Sequence, residues 1–199
     1  MDATKSCQAS TSTIKISTNC TPAILMAATT SPAPTTMKNG RERKWKSKNG
    51  ERLRDHLGFR LRASGVCVRR SEINGELEVL LVSAQRGPNA WTLPGGGVEL
   101  GEQINEAVIR EVEEEAGIQA DIVELIGEFK DHERLHRTAL FLLSPVNELH
   151  EWQDGKDGRL RCWLRYSEAL TVVKPNQRLM IEQTAYRIAE IEKTAMSAR

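Results

Sequence analysis

The chain has 199 residues with 28 Lys and Arg against 27 Asp and Glu, a net charge of +1. That length exceeds one small domain, and the average charge is uninformative because a local basic patch hides inside a near-neutral chain. No apolar run approaches the roughly 20 residues needed to span a bilayer, Ala23 to Ala28 being far too short, so no membrane-embedded segment is expected.

Residues 1 to about 36 are dominated by Ser, Thr, Ala and Pro and contain little that could form a core. Their low acid content suits a transit peptide, but they lack arginine and amphipathic periodicity. From Lys38 to Arg62 ten Lys and Arg face three acids, including Arg41, Arg43, Lys44, Lys46 and Lys48. This local basic patch reads first as a solvated linker, with nuclear targeting or polyanion attraction as the alternatives. Residues 1–56 are therefore a disordered Ser/Thr-rich and then basic tail, and residues 57–199 one domain. Cys7, Cys20, Cys67 and Cys162 are scattered without a Cys-x-x-Cys pair, which favours reduced thiols and a cytosolic or nuclear protein. Cys67 and Cys162 sit in strand-like runs and read as small core residues.

The domain opens with a strand over Ala63 to Val68, a polar turn around Ser71 to Gly75, and a strand over Leu77 to Ser83, a hairpin pattern. Trp91 reads as core packing that fixes the loop before Pro94, and Gly95-Gly96-Gly97 reads as a glycine turn letting backbone approach a ligand. Glu102 to Ala116 is rich in helix formers until Gly117 supplies a stop.

At about 100° per residue, Glu111, Glu114 and Glu115 fall in one sector of roughly 100°, shared with Ile104, Ala107 and Val108. They continue an inward stripe, whereas Glu106 and Glu113 point to solvent. Three crowded inward carboxylates repel one another and lose hydration, which is costly unless a cation sits among them. Oxygen-only ligands point to Mg²⁺ or Mn²⁺. The bland alternative is a solvated acidic helix with its glutamates paired to Arg110.

Further strands are expected over Ile118 to Phe129, Thr138 to Leu143 and Arg161 to Tyr166, and a closing helix over Asn176 to about Ala195. Leu179, Ile181, Tyr186, Ile188 and Ile191 are its candidate buried positions. The order gives an α/β protein with a mixed sheet between helices.

Gly96, five residues, Glu102, seven residues, then Arg110-Glu111-Val112-Glu113-Glu114-Glu115-Ala116-Gly117-Ile118 matches the full box of the Nudix hydrolases, so the chain resembles that family. The resemblance implies a Nudix-type α/β/α sandwich and metal-dependent hydrolysis of a phosphoanhydride. Glu111, Glu114 and Glu115 become the metal ligands, Glu114 or Glu115 the water-activating base, and Arg110 a catalytic residue that orients a carboxylate. Glu102 takes a supporting role through the loop or a further metal.

The flanks resemble the diphosphoinositol polyphosphate phosphohydrolases: Leu80 to Ser83, Arg86, Pro94 to Gly97, Gly127-Glu128-Phe129, Glu133 to Thr138, Glu151 to Asp154, Gly158 to Trp163 and Lys174-Pro175. The pattern departs at Ala84-Gln85, Cys162 and Leu164. It implies diphosphoinositol polyphosphates as substrates, with diadenosine penta- and hexaphosphates beside them, and substrate contacts from Arg60, Arg62, Arg86, Gly95, Gly96, Gly97, Arg134, His136, Arg159 and Lys174. Cations spread over separate loops and strand ends suit a small molecule crowded with phosphate, since Arg binds phosphate as a fork and Lys as a point charge. Arg137 and Arg161 are weaker candidates. Messenger-RNA decapping or another nucleotide-directed reaction is the second enzymatic reading. A silent polyphosphate- or RNA-binding module is a third, although none of the box glutamates is lost.

Overall fold

The structure, a computed structural model, describes residues 53–84 and 90–197. Its elements in chain order are β1 (Arg60–Arg70), β2 (Leu77–Ser83), β3 (Trp91–Thr92), β4 (Gly95–Gly97), α1 (Ile104–Ala116) and β5 (Ile118–Asp131). After these come β6 (His136–Glu148), α2 (Gln153–Lys156), β7 (Arg161–Arg165), α3 (Tyr166–Val172) and α4 (Pro175–Ser197). Backbone pairing begins upstream of Leu57, where Leu61 N donates to Leu53 O and Leu53 packs on the core.

β1 and β2 form the expected hairpin, with Val68 opposite Val79 and Arg70 opposite Leu77. The principal order is β3-β2-β1-β6-β5, with β4 on β1 and β7 on β2. β1 runs parallel to β6, placing Ala63 beside Ala139, and antiparallel to β2 and β4, so the sheet is mixed as expected.

Strand side chains alternate between faces, and here the alternation sorts the core into two layers. Ala63 and Cys67 of β1, Leu80 and Val82 of β2, and Phe141 and Leu143 of β6 pack with Ala107, Val108, Val112 and Ala116 of α1. Val66 and Val68, Val79 and Leu81, and Leu140 and Leu142 pack on the opposite layer with Ala169, Val173, Met180 and Ile181 from α3 and α4. The result is the expected α/β/α sandwich. α1 can approach β1 closely because position 65 is glycine: a Cβ there would lie 2.5 Å from Leu143 Cδ1 and 2.8 Å from Val112 Cγ2. Cys67 is a core residue, its thiol pushed up to about 12 by burial.

Several expectations are corrected. The strands after α1 run further than the apolar runs suggest, because paired backbone continues through the polar residues to Asp131 and from His136 to Glu148. Tyr166 opens α3 rather than closing β7, and the sequence reading missed both α2 and α3. In α4, Leu179 and Tyr186 are 53% and 69% exposed. The helix buries Met180, Ile181 and Thr184, with Ile188 and Ile191 partly covered as expected, a stripe that leaves Leu179 and Tyr186 together on the opposite face. None of the described helices is long and apolar enough to cross a membrane.

Candidate active site

Gly95–Gly97 is a short strand rather than the expected glycine turn. It pairs with Arg62, Ala63 and Ser64, and the turn falls later, at Leu100 and Gly101, where Gly101 has φ +83°. Glycine is needed at position 95 because φ is +155° and a Cβ would lie 2.5 Å from Ala63 O. Gly65 N and Ser64 Oγ donate to Pro94 O at 3.0 and 2.9 Å, and Arg62 Nη2 donates to Gly95 O at 3.0 Å. These bonds fix the approach of β4 to α1.

Two of the three box carboxylates turn inward as the helical phase requires. Glu111 and Glu115 side chains are each 13% exposed, whereas Glu114 is 37% exposed and opens toward solvent. The Glu111 carboxyl lies against Gly96, where a Cβ would sit 2.1 Å from Oε1. Gly95 N donates to Glu115 Oε2 at 2.8 Å, and Arg159 Nη1 pairs with Glu115 Oε1 at 2.9 Å. Glu106 is exposed and accepts from Gln103 N, while Glu113 is only half-exposed. Burial raises the Glu111 carboxyl above the ordinary range despite Arg110, and lifts Glu115 to about 7 despite Arg159 and the Gly95 N–H.

Arg110 knits the box together. Its Nε donates to Glu102 Oε1 at 2.7 Å and its Nη2 to Glu102 Oε2 at 3.0 Å and Gly97 O at 3.1 Å. Its Nη1 reaches Glu111 Oε1 at 2.9 Å and Glu114 Oε2 at 3.3 Å. Arg110 is thus an orienting residue. Glu102 lies just before the N-cap Gln103 rather than on the helix, and it also accepts from Glu99 N. Partial burial works to raise the Glu102 carboxyl, but the Arg110 and Glu99 hydrogen bonds hold it below its usual range.

The countercharge for the crowded carboxylates comes from Arg110 and Arg159, so crowding alone does not require a metal. Among the described residues, no three His, Cys, Asp or Glu side chains already stand in a metal-holding arrangement. The donors nevertheless fit a hard divalent cation: three carboxylates on consecutive turns, two of them buried against the glycine backbone of β4. Taking such an ion requires the carboxylates to exchange arginine contacts for it.

A cavity of about 940 Å³ opens beside Glu115 and Gly95. Of the candidate substrate contacts, Arg62, Arg134, His136, Arg159 and Lys174 line it. β1 and β6 run in register here, Arg60 beside His136 and Arg62 beside Thr138, while the chain turns through Arg134 between β5 and β6. Arg134 is held by Asp131, to which both its backbone N and its Nη1 donate. Burial lowers His136, reinforced by Arg62 and Arg60, so its imidazole is biased toward the neutral form. Burial likewise lowers Lys174, together with Arg134, Arg159 and Arg62, which line the same cavity.

Other candidates fall elsewhere. Arg60 is packed against Gly97, where a Cβ would lie 2.4 Å from its Nη2, and neither Arg60, Gly96 nor Gly97 lines the cavity. Arg137 is committed to Glu128 and Asp55. Arg161 pairs with Glu148, donates to Ala116 O and Leu149 O, and stacks 4.1 Å from the Trp152 ring, which ties down the end of α1. Arg86, the basic segment before residue 53, Cys7 and Cys20 lie outside the described residues. The sequence reading missed Ser64, Lys130, His132, Asn176 and Gln177 as lining residues. Only the position of Gln177 three residues beyond Lys174 could have pointed to it.

Three comparisons accompany this geometry. The family described as NUDIX domain matches residues 59–184. Diphosphoinositol polyphosphate phosphohydrolase 2 of Homo sapiens is 39% identical over 127 residues, covering 63% of this chain and 69% of that protein. Diphosphoinositol polyphosphate phosphohydrolase 3-alpha of Mus musculus is 40% identical over 128 residues, covering 63% and 76%. Among solved structures, a C. elegans Ap4A hydrolase in a binary complex superposes with a TM-score of 0.51 at 25% identity, covering 65% of this chain and 98% of that one.

Proposed function

The chain belongs to the Nudix family of hydrolases, which act on phosphoanhydrides, and from that premise we propose that its substrates are diphosphoinositol polyphosphates, with diadenosine penta- and hexaphosphates turned over beside them. The observation that carries this reading is the convergence of Arg62, Arg134, His136, Arg159 and Lys174 on one cavity that also exposes Glu115. Five basic groups from separate elements match a ligand with many phosphates better than one with a single diphosphate. The names of the relatives, diphosphoinositol polyphosphate phosphohydrolases, support the same substrate class.

In this reading Glu111, Glu114 and Glu115 hold Mg²⁺ or Mn²⁺. The chemistry a bound ion supplies is neutralisation of charge on the phosphoanhydride. Arg62, Arg134, His136 and Lys174 bind the phosphates that are not cleaved and so set the scissile group against the box. Arg110 keeps Glu102, Glu111 and Glu114 aligned, and the Gly95 N–H holds Glu115 in register. Water attacks the terminal phosphorus, the bridging P–O bond breaks, and orthophosphate leaves. Glu115, which lines the cavity and is held by the Gly95 N–H and Arg159, is the candidate to take the water proton, and Glu114 is the alternative.

A second reading, cleavage within a dinucleoside polyphosphate chain, is favoured by the likeness to the Ap4A hydrolase. The scattered cysteines support a cytosolic or nuclear location. The test compares diphosphoinositol pentakisphosphate with diadenosine hexaphosphate, each with Mg²⁺ and with Mn²⁺, for wild type, Glu114→Gln and Glu115→Gln. Metal-dependent turnover, lost by a factor on the order of 10² or more in the variants, is expected. Folded wild-type protein that turns over neither substrate would overturn the reading and move it to capped RNA or to ligand binding without catalysis.

A further inference from the structure

We propose that Gln177 is a substrate-binding residue, its side-chain amide donating to an anionic oxygen of the polyphosphate; the inference rests on the reading of the site as a polyphosphate hydrolase. Gln177 lies in the first turn of α4 and lines the cavity with Arg62, Arg159, Lys174 and Glu115.

The orientation of the amide follows from its partners. Leu93 N donates to Gln177 Oε1 at 3.1 Å and Thr92 Oγ1 donates to the same oxygen at 2.8 Å. A backbone N–H can only donate, so the oxygen end must face β3 and the nitrogen end must point away from it. Both lone pairs of the oxygen are used. No described residue accepts from the nitrogen, which leaves a clamped group with two N–H donors beside the cavity.

The clamp also registers this donor against the box. Leu93 directly precedes Pro94-Gly95, and the Gly95 N–H holds Glu115. An oxygen bound by Gln177 is therefore positioned from the same short segment that positions Glu115. Lys174 supplies charge as a point with little directional preference among anionic oxygens, whereas a neutral, fixed amide supplies direction beside the arginine forks.

Gln177→Glu separates this role from a structural one. Its carboxylate keeps an oxygen for Leu93 N and Thr92 Oγ1, so folding is retained, but it replaces the N–H donors with a second acceptor. Asn176→Asp, adjacent and lining the same cavity, controls for the added charge. Binding of inositol hexakisphosphate is read by calorimetry, and turnover of diphosphoinositol pentakisphosphate by phosphate release. The expected result is a Kd and KM raised on the order of tenfold more by Gln177→Glu than by Asn176→Asp, with kcat changed by less than about threefold and Tm unchanged. Thr92→Val, which removes one arm of the clamp, raises KM in the wild-type background and has no further effect in Gln177→Ala. Equal effects of the two acidic substitutions, or an unchanged KM in Gln177→Glu, overturn the inference while leaving the hydrolase reading intact. Wild-type protein that neither binds hexakisphosphate nor hydrolyses the pyrophosphate overturns both.

Discussion

Arg159 Nη1 sits 2.9 Å from Glu115 Oε1, and its side chain is only 8% exposed, so a buried cation of the cavity is paired with a box carboxylate. Asp154 accepts from the same nitrogen at 3.2 Å. A single guanidinium therefore joins the carboxylate helix, the short α2 and the substrate cavity. Arg159→Lys keeps the charge but shortens the side chain and replaces the planar guanidinium with a compact, more strongly hydrated ammonium. Turnover should fall by roughly tenfold or more, with the larger change in kcat, because Glu115 loses its partner as well as its register. Steady-state kinetics beside Asp154→Asn check this: that variant should reproduce part of the loss by slackening Arg159.

The lifted Glu115 carboxyl makes stability depend on pH in a definite direction. Between its ordinary 4.5 and about 7, the unfolded chain has released this proton while the folded chain keeps it. The folded state then binds more protons than the unfolded state, so stability declines as pH rises through that window, by roughly 3 to 3.5 kcal/mol at the upper limit. Glu111, raised by burial, adds to the same slope. Thermal unfolding in EDTA should show Tm falling from pH 5 to 7.5. Adding Mg²⁺ or Mn²⁺ at pH 7.5 should restore it, and Glu115→Gln should flatten the pH profile. A Tm that climbs over this range would contradict the burial argument.

Gly95 and Gly96 are adjacent but should fail differently. A Cβ at 95 meets backbone, Ala63 O at 2.5 Å and Ser64 Cα at 2.7 Å, at φ +155°. Gly95→Ala should therefore lower stability, by about 2 kcal/mol or more. The three atoms nearest a Cβ at 96 all belong to the Glu111 carboxyl, a side-chain end rather than backbone. Gly96→Ala should remain folded with a similar Tm while metal-dependent turnover drops on the order of 10²-fold. Circular dichroism melts run beside phosphate-release assays distinguish the two outcomes.

His136 and Arg137 are neighbours on β6 whose side chains have different fates. His136 lines the cavity, while Arg137 is held by Glu128 and Asp55. His136→Ala and Lys174→Ala should each raise KM roughly tenfold, with the Lys174 effect shrinking as salt increases and the His136 effect, from an imidazole biased toward neutral, changing little. Arg137→Ala should leave KM within about twofold and cost a modest amount of stability. Arg161→Ala should act on folding too, because its guanidinium satisfies Ala116 O and Leu149 O. A KM series at two ionic strengths tests the set.

The Nudix box, the helix that carries it and the two-faced strands were legible in the sequence because each is a local periodicity. Glu111 and Glu115 share a face through the helical repeat, and Ala63, Cys67, Val66 and Val68 divide between two layers through strand alternation. Leu179 and Tyr186 were misread because they are apolar, although their helical phase sets them on the face opposite Met180, Ile181 and Thr184. The family resemblance already ranked Arg62, Arg134, His136, Arg159 and Lys174 above Arg137 and Arg161, but only the tertiary structure shows that the five line one cavity. Arg62, Arg134, His136, Arg159 and Lys174 come from distant points of the chain, and nothing in their spacing distinguishes them from Arg137 or Arg161. Side-chain charge is written in the sequence, but its use depends on which acids, carbonyls and cavity walls the fold brings within a few ångströms. The same contacts supplied Arg110 and Arg159 as countercharges to the carboxylates and turned the amide of Gln177, an unremarkable residue of a helical turn, into a fixed donor.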